Sequence, residues 1–288
     1  MTLLRVRRTG PLTLVEDLGR PGHAAIGVAR SGAADRGALR LANRAVGNPE
    51  GAAALEVLLG GLELEVVGGS VTLCVTGAPA PVRVGGRDTG PSYVTTARAG
   101  DVVRLGTPAV GLRSYVAVRG GIDVPAVLGS RSRDVLAGVG PEPLAEGDEL
   151  IVGAWTGEPP VADLLPPPRL PDVVELRVVR GPRDAWLVDA DRLTSTAWTV
   201  SGESNRVGIR LLGEPLHHRD PDRQLPSEGA WRGAVQVPPG GEPVVLLADH
   251  PVTGGYPVAG VVVDADVDRA AQARPGQQLR LRWVPAPR

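Results

Sequence analysis

Five short clusters bring carboxylates, guanidinium groups and glycine together, and these hold the residue types able to do chemistry. They span residues 16–22, 31–36, 201–206, 227–229 and 248–257. Within them Arg20, Arg36 and Arg206 could clamp a carboxylate in a bidentate fork or stabilise developing negative charge. Asp17, Glu228 and Asp249 could act as a general base. Ser31, Asp35, Asn43, Asn205, Thr253 and Tyr256 offer polar groups for binding, and the Gly254-Gly255 step lets backbone amides approach a ligand. An arginine beside a carboxylate in one such loop ordinarily braces a turn. Five clusters in one chain point instead to a site for a small carboxylated or ureido substrate.

Other chemistries are poorly supported. No Gly-x-Ser-x-Gly elbow is present, the nearest approach being Gly202-Glu-Ser204-Asn-Arg206, and Gly138-Val-Gly140 does not continue to a third glycine. His23, His217, His218 and His250 show no metal-ligand spacing, so no metal site is expected. The His217-His218-Arg-Asp-Pro-Asp222 stretch is expected to be a polar surface loop. All 31 basic residues are arginine, which excludes a P-loop lysine, a Schiff-base lysine and covalent biotin on this chain. Cys74 lies in the apolar run 71–75 and is expected to be buried packing rather than a nucleophile. A net charge of −1 gives no argument for nucleic acid or for an anionic membrane surface.

These loops must be carried on strands. Glycine (39) and proline (28) punctuate short Val-rich runs, the pattern of many short strands joined by tight turns. Residues 62–66 and 82–84 alternate strictly, and 112–118, 173–179, 234–237, 244–248 and 258–263 are further strand candidates. Helices are few. Leu39, Ala42 and Val46 have helical spacing within 34–46, with Gly47 and Pro49 as stop signals. A second helix should begin near Asp264 or Asp266, whose carboxylates suit an N-cap, and run to Gln272.

At 288 residues two domains are expected, 1–155 and 173–288, joined by a proline-rich linker at 156–172. A Gly-containing turn feeding an apolar strand recurs at 99–105, 145–152 and 274–281, as if related halves were each closed by such a strand. No signal-peptide core opens the sequence and no apolar run reaches spanning length, so a cytoplasmic, non-membrane protein is expected.

The clusters sit in an ordered set of motifs. These are Asp17-Leu-Gly-Arg-Pro-Gly22, Ser31-Gly-Ala-Ala-Asp-Arg36, Leu39-Arg-Leu-Ala-Asn-Arg44, Val46-Gly-Asn48 and Ala53-Ala-Leu-Glu56. Gly120-Gly-Ile-Asp-Val-Pro125, Leu128-Gly-Ser-Arg131, Gln236-Val-Pro-Pro239 and Thr253-Gly-Gly-Tyr-Pro257 follow. The whole resembles the carboxyltransferase family that includes the C-type subunit of 5-oxoprolinase, allophanate hydrolase subunit 2 and the Kip-type kinase-inhibitor antagonist. The resemblance implies a mainly β fold of two cyclophilin-like β-barrels with few short helices. It implies a smaller companion carboxyltransferase-like subunit and, for 5-oxoprolinase, a third lactam-utilisation subunit. It also implies three functions: ATP-dependent opening of 5-oxoproline to glutamate, with ATP bound at the level of the complex; carboxyl transfer from carboxybiotin to urea; or antagonism of a kinase inhibitor without catalysis. Its motif positions add Gln236 to the substrate-binding candidates. Asn205 stands where the family pattern suggests an acidic residue, and 250–252 replaces a more polar run.

Overall fold

Leu62, Leu64 and Val66 alternate with Glu63, Glu65 and Val67, and a strand turns such alternate side chains to opposite faces. In the computed structural model, which describes residues 2–155, 157, 164–166 and 168–286, the segment is strand Leu62–Val67 with its even-numbered residues buried. The protein is mostly β, with three short α-helices among the described residues. Contacts divide the chain into two units. One holds Met1–Arg20, Ser31–Asp134 and Gly138–Arg169; the other holds Pro21–Arg30, Val135–Ala137 and Leu170–Arg288. Of the expected linker prolines, Pro159, Pro160 and Pro167 lie outside the described residues.

The first unit is built on two sheets. Seven strands lie in the order Ile122–Asp123, Glu149–Val152, Leu3–Thr9, Leu62–Val67, Val102–Leu105, Val82–Val84 and Arg87–Asp88. Five more lie in the order Leu12–Glu16, Ala54–Leu58, Arg113–Val118, Ser70–Gly77 and Thr95–Arg98. All six residues of Arg113–Val118 are buried, which explains its continuous apolar reading. Val116 and Val118 join Leu64, Val66 and Leu73 in one core, while Tyr115 and Ala117 face the other way, into a core shared with Leu39 and Ala42 of helix Arg36–Ala45. Asp35 caps that helix, its Oδ1 accepting from the Ala38 amide at 2.8 Å, so the helix starts two residues after the start expected from spacing. Cys74 packs beneath the helix, and burial pushes its thiol up to about 12, which makes it inert.

The second unit contains a closed barrel of seven strands. Their order is Val173–Arg180, Val258–Val262, Ala234–Gln236, Val244–Leu246, Gly208–Leu212, Trp198–Val200 and Gln278–Trp283. Two of the three recurrent Gly-turn phrases feed strands that pair with the first strand of their half. Glu149–Val152 pairs antiparallel with Leu3–Thr9, and Gln278–Trp283 runs parallel to Val173–Arg180, completing the barrel. Trp198 is wholly buried, yet its indole N–H reaches the Leu193 carbonyl at 2.8 Å, so its one donor is satisfied.

Helix Asp264–Ala270 corrects one expectation. Its N-cap is Val263, no carboxylate caps it, and it stops two residues short of Gln272. Asp266 instead accepts from the Arg177 amide (2.8 Å), Nε (2.9 Å) and Nη2 (2.8 Å). Burial pushes its carboxyl up, but the Arg177 contacts outweigh this and the net shift is downward from 3.8. A carboxyl with a lowered folded value adds stability above its unfolded value and loses it as pH falls through the folded one. Asp266→Asn should therefore flatten the acid limb of a Tm-against-pH curve below about pH 4, most visibly in the unit that holds Asp266. An acid limb identical to that of the parent would refute the linkage. Among the described residues no helix is long and apolar enough to cross a membrane.

Candidate functional site

In the first unit the sequence candidates fold into a bracing network. Strand Leu12–Glu16 delivers Asp17 into a loop, where its carboxylate accepts from the Ser130 and Ser132 hydroxyls at 2.6 Å and from the Gly19 and Arg131 amides at 2.7 Å. Four donors fill the lone-pair sites of a carboxylate, so a substrate would find no open acceptor on it. Arg20, 1% exposed, donates to the carbonyls of Ser132 and Val127, while its Nη1 has no hydrogen-bond partner among the described residues. Asp17 and Arg20 thus grip the same turn, 127–132, rather than each other. Gly32, at φ +92, lies against the Asp17 loop so closely that a Cβ would fall 2.7 Å from the Gly19 nitrogen.

The cluster at 31–36 is held from below. The Ser31 hydroxyl donates to the Arg133 carbonyl at 3.1 Å. The Ala34 amide donates to Glu56 Oε2 at 2.9 Å, and the Asp35 amide donates to the Tyr115 hydroxyl at 2.8 Å. That hydroxyl donates in turn to Glu56 Oε2 at 2.8 Å, and Arg113 Nε lies 3.4 Å from Glu56 Oε1. Burial, and then the charges of Glu56 and Asp35, push the Tyr115 phenol well above its ordinary value. Arg36 opens the helix at 8% exposure. Asn43 donates to the Ala52 carbonyl (2.8 Å) and accepts from Asn48 (3.0 Å), tying the helix end to the following turn. Tyr115 and Arg113 escaped the sequence reading, and Glu56 entered it only as the end of the Ala53-Ala-Leu-Glu56 motif, not as a site candidate. A further signal was that Glu56 is a carboxylate in the otherwise apolar strand Ala54–Leu58.

In the second unit Arg206 and Asp249 form a buried, two-point ion pair, Nε to Oδ2 at 2.8 Å and Nη2 to Oδ1 at 3.1 Å, at side-chain exposures of 3% and 0%. Asn205 accepts from the Val207 amide at 2.8 Å, closing its own turn on the surface. Glu228–Gly229 pairs with Thr253–Gly254 in a two-stranded ribbon. Glu228 is ion-paired with Arg183, whose hydrogen bond holds the carboxyl below its ordinary value. Gln236 lies under the ribbon: a Cβ on Gly254 would sit 2.7 Å from its Nε2, and Gly254 is not in the left-handed region. Gly254→Val must therefore push the flexible Gln236 amide aside without straining the backbone.

Gly255, Tyr256 and Pro257 leave the ribbon to line a cavity of about 410 Å3. It is lined as well by the loop holding His218, Asp222 and Arg223 and by Trp186. The Arg223 guanidinium carbon lies over the Trp186 ring, 4.1 Å from its centroid. His218 Nε2 is 3.0 Å from the Val237 carbonyl, which can only accept, so this nitrogen carries a proton. The structure thus draws Gly255 and Tyr256 to a cavity and adds Trp186, His218, Asp222 and Arg223. Three stretches far apart in the chain meet there, so no local spacing signalled them.

The match to known proteins is extensive. The model of the carboxyltransferase domain, subdomain A and B, matches residues 26–283. The C-type subunit of 5-oxoprolinase from Escherichia coli (strain K12) is 37% identical over 282 residues, covering 96% of this chain and 90% of that protein. The crystal structure of TTHA0988 superposes with a TM-score of 0.89 at 35% identity, over 98% of this chain and 56% of that one. The K. lactis urea amidolyase superposes with a TM-score of 0.88 at 29% identity, over 98% of this chain and 18% of that one.

Proposed function

The chain belongs to the carboxyltransferase family of subdomains A and B, and we propose that it serves as the C-type subunit of a multi-subunit, ATP-dependent 5-oxoprolinase that opens 5-oxoproline to glutamate. The observation that carries this is the near full-length match to a protein of that name. A smaller carboxyltransferase-like subunit and a lactam-utilisation subunit are its partners in this reading.

The residues of this chain do not fit ATP. Lysine is absent and no glycine-rich phosphate loop is present. The longest helix among the described residues, Arg36–Ala45, is capped by Asp35, whose carboxylate already occupies the Ala38 amide, so phosphate would meet a negative charge there. We therefore place the nucleotide on a companion subunit, and the work of this chain is to hold and orient the lactam. Asp17, Arg20, Arg36, Arg206 and Asp249 are at most 9% exposed. In this reading they keep the loops in place. Glu228, with a third of its side chain exposed, is the candidate carboxylate that a substrate can reach. Held ionised by Arg183, it sits in the ribbon strand that pairs with Thr253–Gly254, directly before Gly255 and Tyr256. Glu228→Gln should slow turnover of the assembled enzyme about tenfold and leave Tm within about 2 °C. Unchanged turnover would release Glu228 from the site.

The whole reading is tested by reconstitution. Alone, the chain should release no glutamate from 5-oxoproline; with both companion subunits and ATP, glutamate should appear. Full turnover by the isolated chain, or an assembled complex that fails to turn over, overturns it. The structural match to a urea amidolyase favours a second reading, carboxyl transfer to urea. Since no lysine is present, a partner must then carry the biotin, and transfer from free carboxybiotin to urea by the complex would establish it.

A further inference from the structure

Two side chains of opposite charge, Asp222 and Arg223, line the cavity in the second unit, and neither side chain makes a hydrogen bond or ion pair among the described residues. This sets Arg223 apart from Arg206 and Arg183, whose guanidinium groups are taken by Asp249 and Glu228. Arg223 is held instead by the Trp186 ring. A cation–π contact uses none of the N–H donors, which remain available in the fork geometry that matches a carboxylate. The Tyr256 hydroxyl, on a residue 48% exposed, also makes no hydrogen bond among the described residues. Three prolines in the wall, Pro221, Pro239 and Pro257, restrict the backbone around it, so little freedom remains to be lost on binding. The cavity volume falls in the ordinary range for small-molecule sites.

The ligand can be read from this pairing. An unpaired guanidinium asks for a carboxylate or another planar anion, and an unpaired carboxylate nearby asks for an N–H. Indole and phenol surfaces ask for a small apolar ring body. Urea has no carboxylate and would leave Arg223 unused. A nucleotide triphosphate would bring several negative charges against Asp222 with one arginine to offset them. We propose that this cavity binds a small ring carboxylate bearing an N–H, the 5-oxoproline class, with Arg223 taking the carboxylate, Asp222 accepting from the N–H, and the ring lying between Trp186 and Tyr256. The proposal rests on the 5-oxoprolinase reading for the choice of ring acid, and on the cavity for its place.

The free chain is titrated with L-5-oxoproline, with 2-pyrrolidinone (the same lactam without a carboxylate) and with urea. Binding is followed by the NMR signal of the Trp186 indole, assigned with Trp186→Phe. The Trp186 signal should shift with 5-oxoproline, and 2-pyrrolidinone should bind about 10- to 100-fold more weakly. Arg223→Gln should weaken 5-oxoproline by a similar factor and leave 2-pyrrolidinone unaffected. In the assembled enzyme Arg223→Gln should raise KM about tenfold or more while kcat holds. Arg210→Gln, on the exposed side of strand Gly208–Leu212, should change neither. A Trp186 signal that ignores 5-oxoproline, or an Arg223→Gln variant that titrates like the parent, overturns the proposal. If the complex turns over 5-oxoproline with an unchanged KM in Arg223→Gln, the cavity is not the site and the enzyme reading survives. If the complex is inactive but the chain still distinguishes the two lactams through Arg223, the ring-carboxylate site stands and the enzyme reading falls.

Discussion

Asp249→Ala should destabilise the second unit by about 3–5 kcal/mol, because it takes from Arg206 the carboxylate gripped at two points in a buried setting. The Val135 amide loses the same carboxylate, which it meets at 3.1 Å. Thermal unfolding should register a fall in Tm on the order of 10 °C. Asp249→Asn keeps an acceptor and loses the charge, so it should fall between. The paired replacement Arg206→Met with Asp249→Leu should recover most of the loss, since hydrophobic residues of similar volume often substitute for a buried ion pair at little cost. A double-mutant cycle separates the pair term from the rest. This series also decides between bracing and catalysis. A folded Asp249→Ala with the parent Tm but no turnover in the complex would make Asp249 a chemical group and overturn the bracing role.

How much of this was legible in the sequence varies from element to element. Strand Leu62–Val67 was legible because one of its faces is buried and the other carries Glu63 and Glu65, so polarity follows the pleat. Arg113–Val118 was legible only as an apolar run, because its two faces serve two different cores and erase the alternation. Helix Arg36–Ala45 announced itself through the spacing of Leu39, Ala42 and Val46 and the Gly47 and Pro49 stops, whereas its cap, Asp35, did not. Partners were not legible. Asp17 and Arg20 stand three residues apart, yet each binds the 127–132 turn, more than a hundred residues away. Arg206 finds its carboxylate 43 residues on, at Asp249, rather than near Asn205. The cavity was half legible. The 253–257 motif marked Gly255 and Tyr256, but Trp186 and the loop holding Asp222 and Arg223 are joined to them only by the fold. Local rules give the periodicity of an element; pairing across the chain depends on sheet order and register, which no short window contains.

The second large effect lies under the 31–36 loop. Glu56→Ala removes the carboxylate that accepts from the Tyr115 hydroxyl and the Ala34 amide and faces Arg113. Glu56, Tyr115 and Arg113 are all at most 4% exposed, so water cannot replace the lost oxygen without opening the core. A cost of about 3–5 kcal/mol is expected, as for removal of one partner from a buried charged cluster. Glu56→Gln keeps an acceptor oxygen and should cost about 1–3 kcal/mol. Urea denaturation gives the order Glu56→Ala below Glu56→Gln below parent, and hydrogen exchange should report faster opening at Ala34, Asp35 and Ala38. Tyr115 supplies an independent reading of the same network. Its phenol is raised first by burial and then by the Glu56 charge, so Glu56→Gln must lower its titration from the parent value while burial keeps it above 10.0. A spectrophotometric titration in which Glu56→Gln leaves Tyr115 unmoved, with stability equal to the parent, would show that the Glu56 charge plays no part in holding the loop.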